Sequence, residues 1–172
     1  MTDIPKSTAE WVAQDPDVRG HWKDRFGARG VWLAGLNQGV ANASGYQVDV
    51  LSGTVFHWPA PAAEDVRVPD HPQNGAPQPT CWFANDRLRL RITAPTAEPY
   101  RLSLYVMDFD RNGRAAHVTL SDEFAPLAAT DVSAADAANG VYLTWTVRGN
   151  VYVALEKTAG FNVVLSGVFI DP

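Results

Sequence analysis

The sequence predicts an all-β fold, an antiparallel sandwich or barrel, with a short helical segment at its N-terminus. Apolar and polar residues alternate with a period of two along most of the chain, which is typical of strands with one buried face. Roughly nine or ten such segments are separated by turn residues, and no helical stretch of ten or more residues connects them, which argues against a βαβ fold. The length of 172 residues suits one domain with a full core.

The first 28 residues differ from the rest and are predicted to form a helical or irregular segment packed on the sandwich. Ser7 or Thr8 can cap a short helix through residues 9–12, and Asp15-Pro16 would end it. The β-sandwich is predicted to span residues 29–172 as a single domain.

The alternation of apolar and polar residues predicts where the strands lie. The first is predicted at residues 31–36, and residues 47–52 and 53–58 form either a strand pair or one bent strand. Residues 87–92 alternate arginine with leucine or isoleucine, which predicts a half-buried strand with a basic outer face. Further strands are predicted within residues 100–108, 115–121, 141–147, 151–155 and 163–170.

Turn residues suggest how these strands connect. Arg148-Gly149-Asn150 predicts a hairpin between the two strands that flank it, and Asn112-Gly113 predicts another. Residues 163–170 are nearly all apolar, which predicts a central strand covered on both faces. Residues 59–79 contain six prolines and are predicted to be a long loop, and residues 123–139 form a second loop with a turn of helix around 133–138.

Charge and composition exclude several classes of function. The net charge of −5 argues against a general nucleic-acid binder. No apolar run is long enough to span a membrane, and no secretory signal is visible. The localisation stays open: extracellular if the chain is an excised module, and otherwise cytoplasmic. Cys81 is the single cysteine, so an intramolecular disulfide cannot form.

The sequence contains no complete catalytic or metal-binding motif. The sequence has no nucleophile elbow, P-loop, dinucleotide-binding glycine run or His-Glu-x-x-His motif. Residues 108–113 match the first half of a calcium loop, but position 12 is Thr119 rather than glutamate, and Arg111 and Arg114 add positive charge. A hairpin explains these residues more simply. We therefore predict no cofactor, with calcium as the weaker alternative.

The aromatic residues are the most informative feature, because the chain contains six tryptophans and five tyrosines. Sugars present flat apolar C–H faces, so exposed rings can stack on them while polar side chains supply hydrogen bonds. The predicted ligand-binding residues are Trp58, Trp82, Tyr46, His57, Asp108 and Arg114. Burial in the core is an equal alternative for the three aromatic residues among them.

Several short sequence segments, taken together, resemble a known family of modules. They are Gly20–Gly27, Thr54–Trp58, Cys81–Phe83, Tyr100–Asp110, Gly113-Arg114, Gly140–Trp145 and Val164–Pro172. In this order they resemble the galactose-binding-like β-sandwich modules attached to bacterial glycoside hydrolases and other extracellular polysaccharide-active proteins. The resemblance implies a jelly roll of two antiparallel sheets that is usually non-catalytic, often binds carbohydrate and sometimes holds a structural calcium.

The leading hypothesis is a non-catalytic carbohydrate-binding module, with a glycan or small sugar-like ligand as its partner. Neither nucleic acid nor a membrane is expected as a partner, and the oligomeric state stays open. One alternative is a small enzyme on the same fold that acts on a sugar or secondary metabolite. Its acid and base groups would come from His57, His117, Asp108 and Asp110.

The second alternative is a structural or protein-interaction module. In that case Arg87, Arg89 and Arg91, which share the outer face of one predicted strand, would dock on an acidic partner. A solvated outer face is the simpler interpretation of the same three residues.

Overall fold

The computed structural model describes residues 6–36, 45–61 and 63–172 and confirms an all-β, antiparallel sandwich. The strands are β1 (Thr8–Asp15), β2 (Gly30–Leu33), β3 (Gln47–Ser52), β4 (Thr54–His57), β5 (Thr80–Ala84), β6 (Arg87–Thr93), β7 (Tyr100–Val106), β8 (Ala115–Ser121), β9 (Pro126–Val132), β10 (Val141–Arg148), β11 (Val151–Ala159), β12 (Val163–Leu165) and β13 (Gly167–Asp171), and the helix is α1 (Ala134–Asn139). Within the described ranges, no helix has the length and apolar character needed to cross a membrane. Residues 1–5 of the predicted N-terminal segment and residue 62 of the predicted Pro-rich loop lie outside the described residues.

The strands form three sheets. The first sheet has the order β1-β10-β7-β13-β2, the second sheet β3-β6-β11-β8-β9, and the small sheet β12-β5-β4. The chain crosses repeatedly between the two large sheets, as it does in a jelly roll. The main core lies between them and is built from alternating apolar positions, among them Leu90 of β6, Leu104 of β7 and Trp145 of β10.

The predicted N-terminal helix after Ser7 or Thr8 is wrong, because this segment is strand β1 at the edge of the first sheet. It pairs antiparallel with β10, with Trp11 opposite Trp145. The two indole rings meet edge to face with centroids 5.4 Å apart. Backbone pairing and this aromatic contact outweigh the weak local preference for a helix.

Both predicted hairpins are also wrong. Strand β7 pairs with β10 and β13 in the first sheet, whereas β8 pairs with β11 and β9 in the second. The Asn112-Gly113 segment therefore connects two sheets, and so does Arg148-Gly149-Asn150 between β10 and β11. Two strands that face each other across one core show the same alternation and turn residues as two strands paired in one sheet, so the sequence pattern fits both arrangements.

The predicted central strand at 163–170 is interrupted at Ser166, with β12 in the small sheet and β13 in the first sheet. Its predicted burial on both faces is confirmed, since all eight positions are buried.

Residues 47–58 were predicted to be either a strand pair or one bent strand. The structure shows a bend, with Gly53 (φ 151°) between β3 and β4. The predicted turn of helix is α1, whose N-terminus is capped by the Ser133 hydroxyl, which accepts from the Asp136 N–H.

The outer face of the first sheet carries a second apolar cluster. Tyr142 of β10 stacks on Phe26 of the N-terminal segment, with centroids 4.2 Å apart. Trp22 is buried beside them and donates its indole N–H to the carbonyl of Asp70 at 2.8 Å. This layer ties the N-terminal segment and the Pro-rich loop to the sandwich and positions Trp58 next to the small sheet.

Candidate ligand-binding cleft

A cleft of about 600 Å³ opens beside the small sheet. Phe56 lies opposite Cys81, and Phe83 lies opposite Val164, so these four side chains share one face of the small sheet. That face forms the apolar side of the cleft. The other residues that line it are Trp58, Pro59, Asp110, Asn112, Arg114, Phe161 and Asn162.

The connection between β7 and β8 forms the polar side of the cleft, and the buried carboxylate of Asp108 organises it. Asp108 Oδ2 accepts the backbone N–H groups of Gly113 at 3.0 Å and Arg114 at 3.1 Å, and its Oδ1 accepts that of Asn112 at 3.2 Å. The turn places Arg111 (φ 53°) and Gly113 (φ 78°) in the left-handed region. These bonds fix the backbone from which Arg114 extends.

Arg114 joins three parts of the site. Its Nη1 donates to Asp108 Oδ1 at 2.5 Å and also to Asp110 Oδ1, and its Nε donates to Asn162 Oδ1 at 2.6 Å. The guanidinium carbon lies 5.9 Å from the ring centroid of Trp58, within range of a cation–π contact. Arg114 therefore holds the β7–β8 connection against the turn between β11 and β12.

Burial and hydrogen bonding act in opposite directions on the charged pair. Burial is the largest influence on Asp108 and raises its pKa, but hydrogen bonds from the Arg114 side chain and from backbone N–H groups outweigh it and leave the pKa below its ordinary value. Burial lowers the pKa of Arg114, but hydrogen bonds to Asp110 and Asp108 outweigh burial and leave the pKa above its ordinary value. Both residues are therefore ionised at neutral pH.

The thiol of Cys81 lies on the floor of the cleft and is 1% exposed. Burial raises its pKa to about 12. The thiolate is the reactive form of cysteine, and a thiol with this raised pKa stays protonated at neutral pH.

The exposed aromatic rings of the cleft are phenylalanines rather than tryptophan. Phe161 is 76% exposed and Phe56 is 45% exposed, whereas Trp58 is 7% exposed. Trp58 packs against Phe56 and Phe109, with centroids 5.9 and 5.5 Å away. Trp58 therefore lines the cleft with little exposed surface and supports Phe56, and the two phenylalanines are the exposed aromatic side chains on which a ligand can stack.

Three of the predicted site residues meet here. Trp58 and Arg114 line the cleft, and Asp108 lies directly behind Arg114 and is bonded to it. Sequence reasoning named Asp110 in the partial calcium-loop match and in the catalytic alternative but not among the ligand-binding residues, and it lines the cleft as well.

The other three predicted site residues lie elsewhere. Trp82 alternates with Cys81 and Phe83 on β5, so its ring points into the main core. Tyr46 is buried against Tyr100 with centroids 5.1 Å apart. His57 follows Phe56 on β4, so it projects from the opposite face of that strand toward Gly35.

Sequence reasoning missed Phe56, Phe161, Asn112 and Asn162 as site residues. Phe56 lies on β4, two positions before Trp58, so the alternation of the predicted strand at 53–58 already placed the two rings on the same side. Phe161 follows Gly160 in a turn between strands, where an apolar ring has no core to enter. The two asparagines carry no signal of their own, because turn asparagines are common for backbone reasons.

The residues of the enzymatic alternative do not converge on one point. His117 on β8 contacts Asp131 on the second sheet at 2.7 Å, and His57 lies away from the cleft face of β4. Among the described residues, no group of three or more His, Cys, Asp or Glu side chains is arranged to hold a metal ion. The guanidinium of Arg114 occupies the position between Asp108 and Asp110 that a calcium ion would need.

The sequence matches no protein-family model and no curated protein. Among solved structures, the chain is similar to TmCBM61, which was solved in complex with β-1,4-galactotriose. The two share 10% sequence identity, the match covers 74% of this chain and 85% of that one, and the TM-score is 0.30.

Proposed function

We propose that this protein is a non-catalytic carbohydrate-binding β-sandwich module and that the glycan binds in the cleft beside the small sheet. The observation that carries the proposal is the pairing of exposed phenyl rings with a fixed polar edge. Phe56 and Phe161 supply flat apolar faces, and Asp110 and Asn112 line the same cleft. Sugars present both an apolar C–H face and directional hydroxyl groups, which is the chemistry that such a cleft complements.

Binding is better supported than hydrolysis. A glycosidase needs a carboxylic acid whose pKa is raised so that it can protonate the leaving oxygen. Asp108 and Asp110 are both bonded to the Arg114 guanidinium, and the pKa of Asp108 is lowered. Asp108 is therefore ionised at neutral pH and has no proton to give to a leaving group.

The cleft is preorganised but small. The Asp108–Arg114–Asn162 contacts hold the polar edge before any ligand arrives, which reduces the ordering cost of binding. Sugars are strongly hydrated, so we expect millimolar to micromolar affinity, about −4 to −8 kcal/mol.

A glycan array on the purified chain, run with calcium and with EDTA, tests the proposal. We expect one class of sugar to bind in both buffers, because Arg114 fills the candidate cation position. The matched pair of variants is Phe161→Ala and Phe124→Ala, whose rings are 76% and 82% exposed. Phe124 lies in the turn between β8 and β9 and does not line the cleft.

We expect Phe161→Ala to weaken binding by about tenfold or more and Phe124→Ala to leave it unchanged, since one ring stacking on a sugar contributes roughly 1–2 kcal/mol. An array with no binding by the folded chain would overturn the proposal. So would equal losses in both variants. Turnover of a bound sugar would support the enzymatic alternative instead.

A further inference from the structure

We infer that the cleft selects uncharged, hydroxyl-rich sugars and discriminates against acidic ones such as uronic acids. This inference rests on the proposed function and adds the chemical class of the ligand. It follows from the charges and from the hydrogen-bonding groups at the polar edge of the cleft.

The charge at the polar edge is negative. The charged residues that line the described cleft are Asp110 and Arg114. Asp108, directly behind, adds a second carboxylate that is fully buried. One guanidinium against two carboxylates leaves a formal charge of −1, and both carboxylates bond to the same nitrogen, Nη1 of Arg114. The positive charge is therefore already matched from within the protein.

Arg67 contacts the connection between β7 and β8, and Arg111 lies within that connection. Arg67 bonds to Asp65 at 2.7 Å in the Pro-rich loop and is 8% exposed there. Arg111 follows Asp110 in sequence, but its charge acts on Asp65 as well, where it lowers the pKa of that carboxyl after the larger effects of Arg67. Neither arginine lines the cleft. Within the described cleft, an anionic ligand would thus meet the exposed carboxylate of Asp110, while the arginine that lines the cleft, Arg114, is already paired.

The hydrogen-bonding groups of the two asparagines are fixed in orientation. Asn112 Oδ1 accepts the N–H of Phe161 at 2.9 Å, and Asn162 Oδ1 accepts Nε of Arg114 at 2.6 Å. In both amides the Nδ2 group is therefore left to donate. Within the described ranges neither Nδ2 group has an acceptor, and Asp110 Oδ2 has no donor.

The polar edge thus combines donors with one strong acceptor. A sugar hydroxyl donates and accepts at once, so it can give its proton to Asp110 and accept from a neighbouring amide. A carboxylate or sulfate group accepts only, and it would face Asp110 as a like charge. Two like charges about 6 Å apart weaken binding by roughly threefold in a water-like dielectric and about a hundredfold near a protein surface.

Titrations with pairs of sugars that differ at one group test this inference. The probes are the methyl glycosides of galactose, glucose and mannose, each paired with the corresponding uronic acid, followed by NMR chemical shifts or calorimetry at neutral pH. For whichever sugar binds, we expect the methyl glycoside to bind at least about tenfold more tightly than the uronic acid at low ionic strength. This difference in affinity should be smaller at high salt.

The charge is tested by Asp110→Asn, with Asp131→Asn as its control. Both variants remove one exposed carboxylate, but Asp131 lies on β9 of the second sheet, away from the cleft. We expect Asp110→Asn to reduce the neutral-to-acid affinity ratio several-fold and Asp131→Asn to leave the ratio unchanged. Circular dichroism confirms that both variants fold.

Tighter or equal binding of the uronic acid would overturn the inference but leave the proposed function standing. An unchanged neutral-to-acid affinity ratio in Asp110→Asn would have the same consequence. If none of the probes binds and the array shows no sugar ligand, the proposed function fails and the inference falls with it.

Discussion

Asp108 and Arg114 form a buried ion pair at the point where the chain crosses from the first sheet to the second, with 2.5 Å between Oδ1 and Nη1. The Asp108 side chain is fully buried, and that of Arg114 is 8% exposed. The same carboxylate also accepts three backbone N–H groups of the connection. One pair therefore stabilises the crossover and orients the polar edge of the cleft.

Asp108→Asn should lower the free energy of unfolding by about 3–5 kcal/mol, because it leaves the buried guanidinium of Arg114 without its inner partner. Urea denaturation measures the loss. Asp110→Asn is the matched control, since Asp110 contacts the same nitrogen but its side chain is 45% exposed. That variant should cost about 0–1 kcal/mol. Equal costs for the two variants would contradict the assignment of Asp108 as the structural partner.

Most strands of the fold were predictable, but β1 was predicted as a helix, β9 lies within a predicted loop, and the assignment of strands to sheets was not predictable. Leu88, Leu90 and Ile92 are buried on one face of β6, as their spacing predicts. The turn at Gly149 predicts a change of direction, yet it lies between the two large sheets rather than within a hairpin. The alternation specifies which face is buried, and a core between two sheets satisfies it as well as one sheet does.

The candidate site was only partly predictable from the sequence, because the strand register decides which side chains face the cleft. Trp58 and Trp82 are equally aromatic and lie next to the same Pro-rich segment, but register separates them. Cys81 and Phe83 face the cleft, so Trp82 must face the core. The contact between Arg114 and Asn162 joins residues that are 48 positions apart, which local pattern cannot reveal.

Stability should fall at acid pH through Asp108. Hydrogen bonds hold its folded-state pKa below the ordinary value despite burial, so its contribution is complete above the unfolded-state pKa of about 3.9 and is lost as pH falls from there through the folded-state pKa. Denaturation curves from about pH 6 to pH 2 measure this. We expect a smaller acid-induced loss in Asp108→Asn than in the unsubstituted protein. Parallel pH profiles for the two proteins would refute this contribution.

Cys81 should be protected from thiol reagents in the folded protein. Its side chain is 1% exposed and burial raises its pKa to about 12, so both access and thiolate fraction are low. We expect alkylation at mildly alkaline pH to be at least about a hundredfold slower than in denaturant, which serves as the control. The chain has a single cysteine, so mass spectrometry reports this site alone. Rapid native labelling would mean that the floor of the cleft opens.

Gly140→Ala should destabilise the protein more than Gly113→Ala. Both glycines have positive φ, 86° and 78°, so alanine costs about 1–2 kcal/mol in backbone strain at either position. A Cβ at Gly140 would also overlap the hydroxyl of Tyr105, which donates to the carbonyl of Arg67 at 2.5 Å. At Gly113 nothing lies within 4 Å of such a Cβ.

Breaking the Tyr105–Arg67 bond should add about 1–3 kcal/mol to the cost of Gly140→Ala, because it leaves a buried carbonyl unpaired. Urea denaturation of both variants measures the difference. Arg67 also bonds to the carbonyls of Asp108 and Ala138 and thereby holds the Pro-rich loop against the sandwich. Limited proteolysis should therefore cut this loop faster in Gly140→Ala than in Gly113→Ala. Equal stability and equal cleavage in the two variants would show that Tyr105 does not anchor the loop through Arg67.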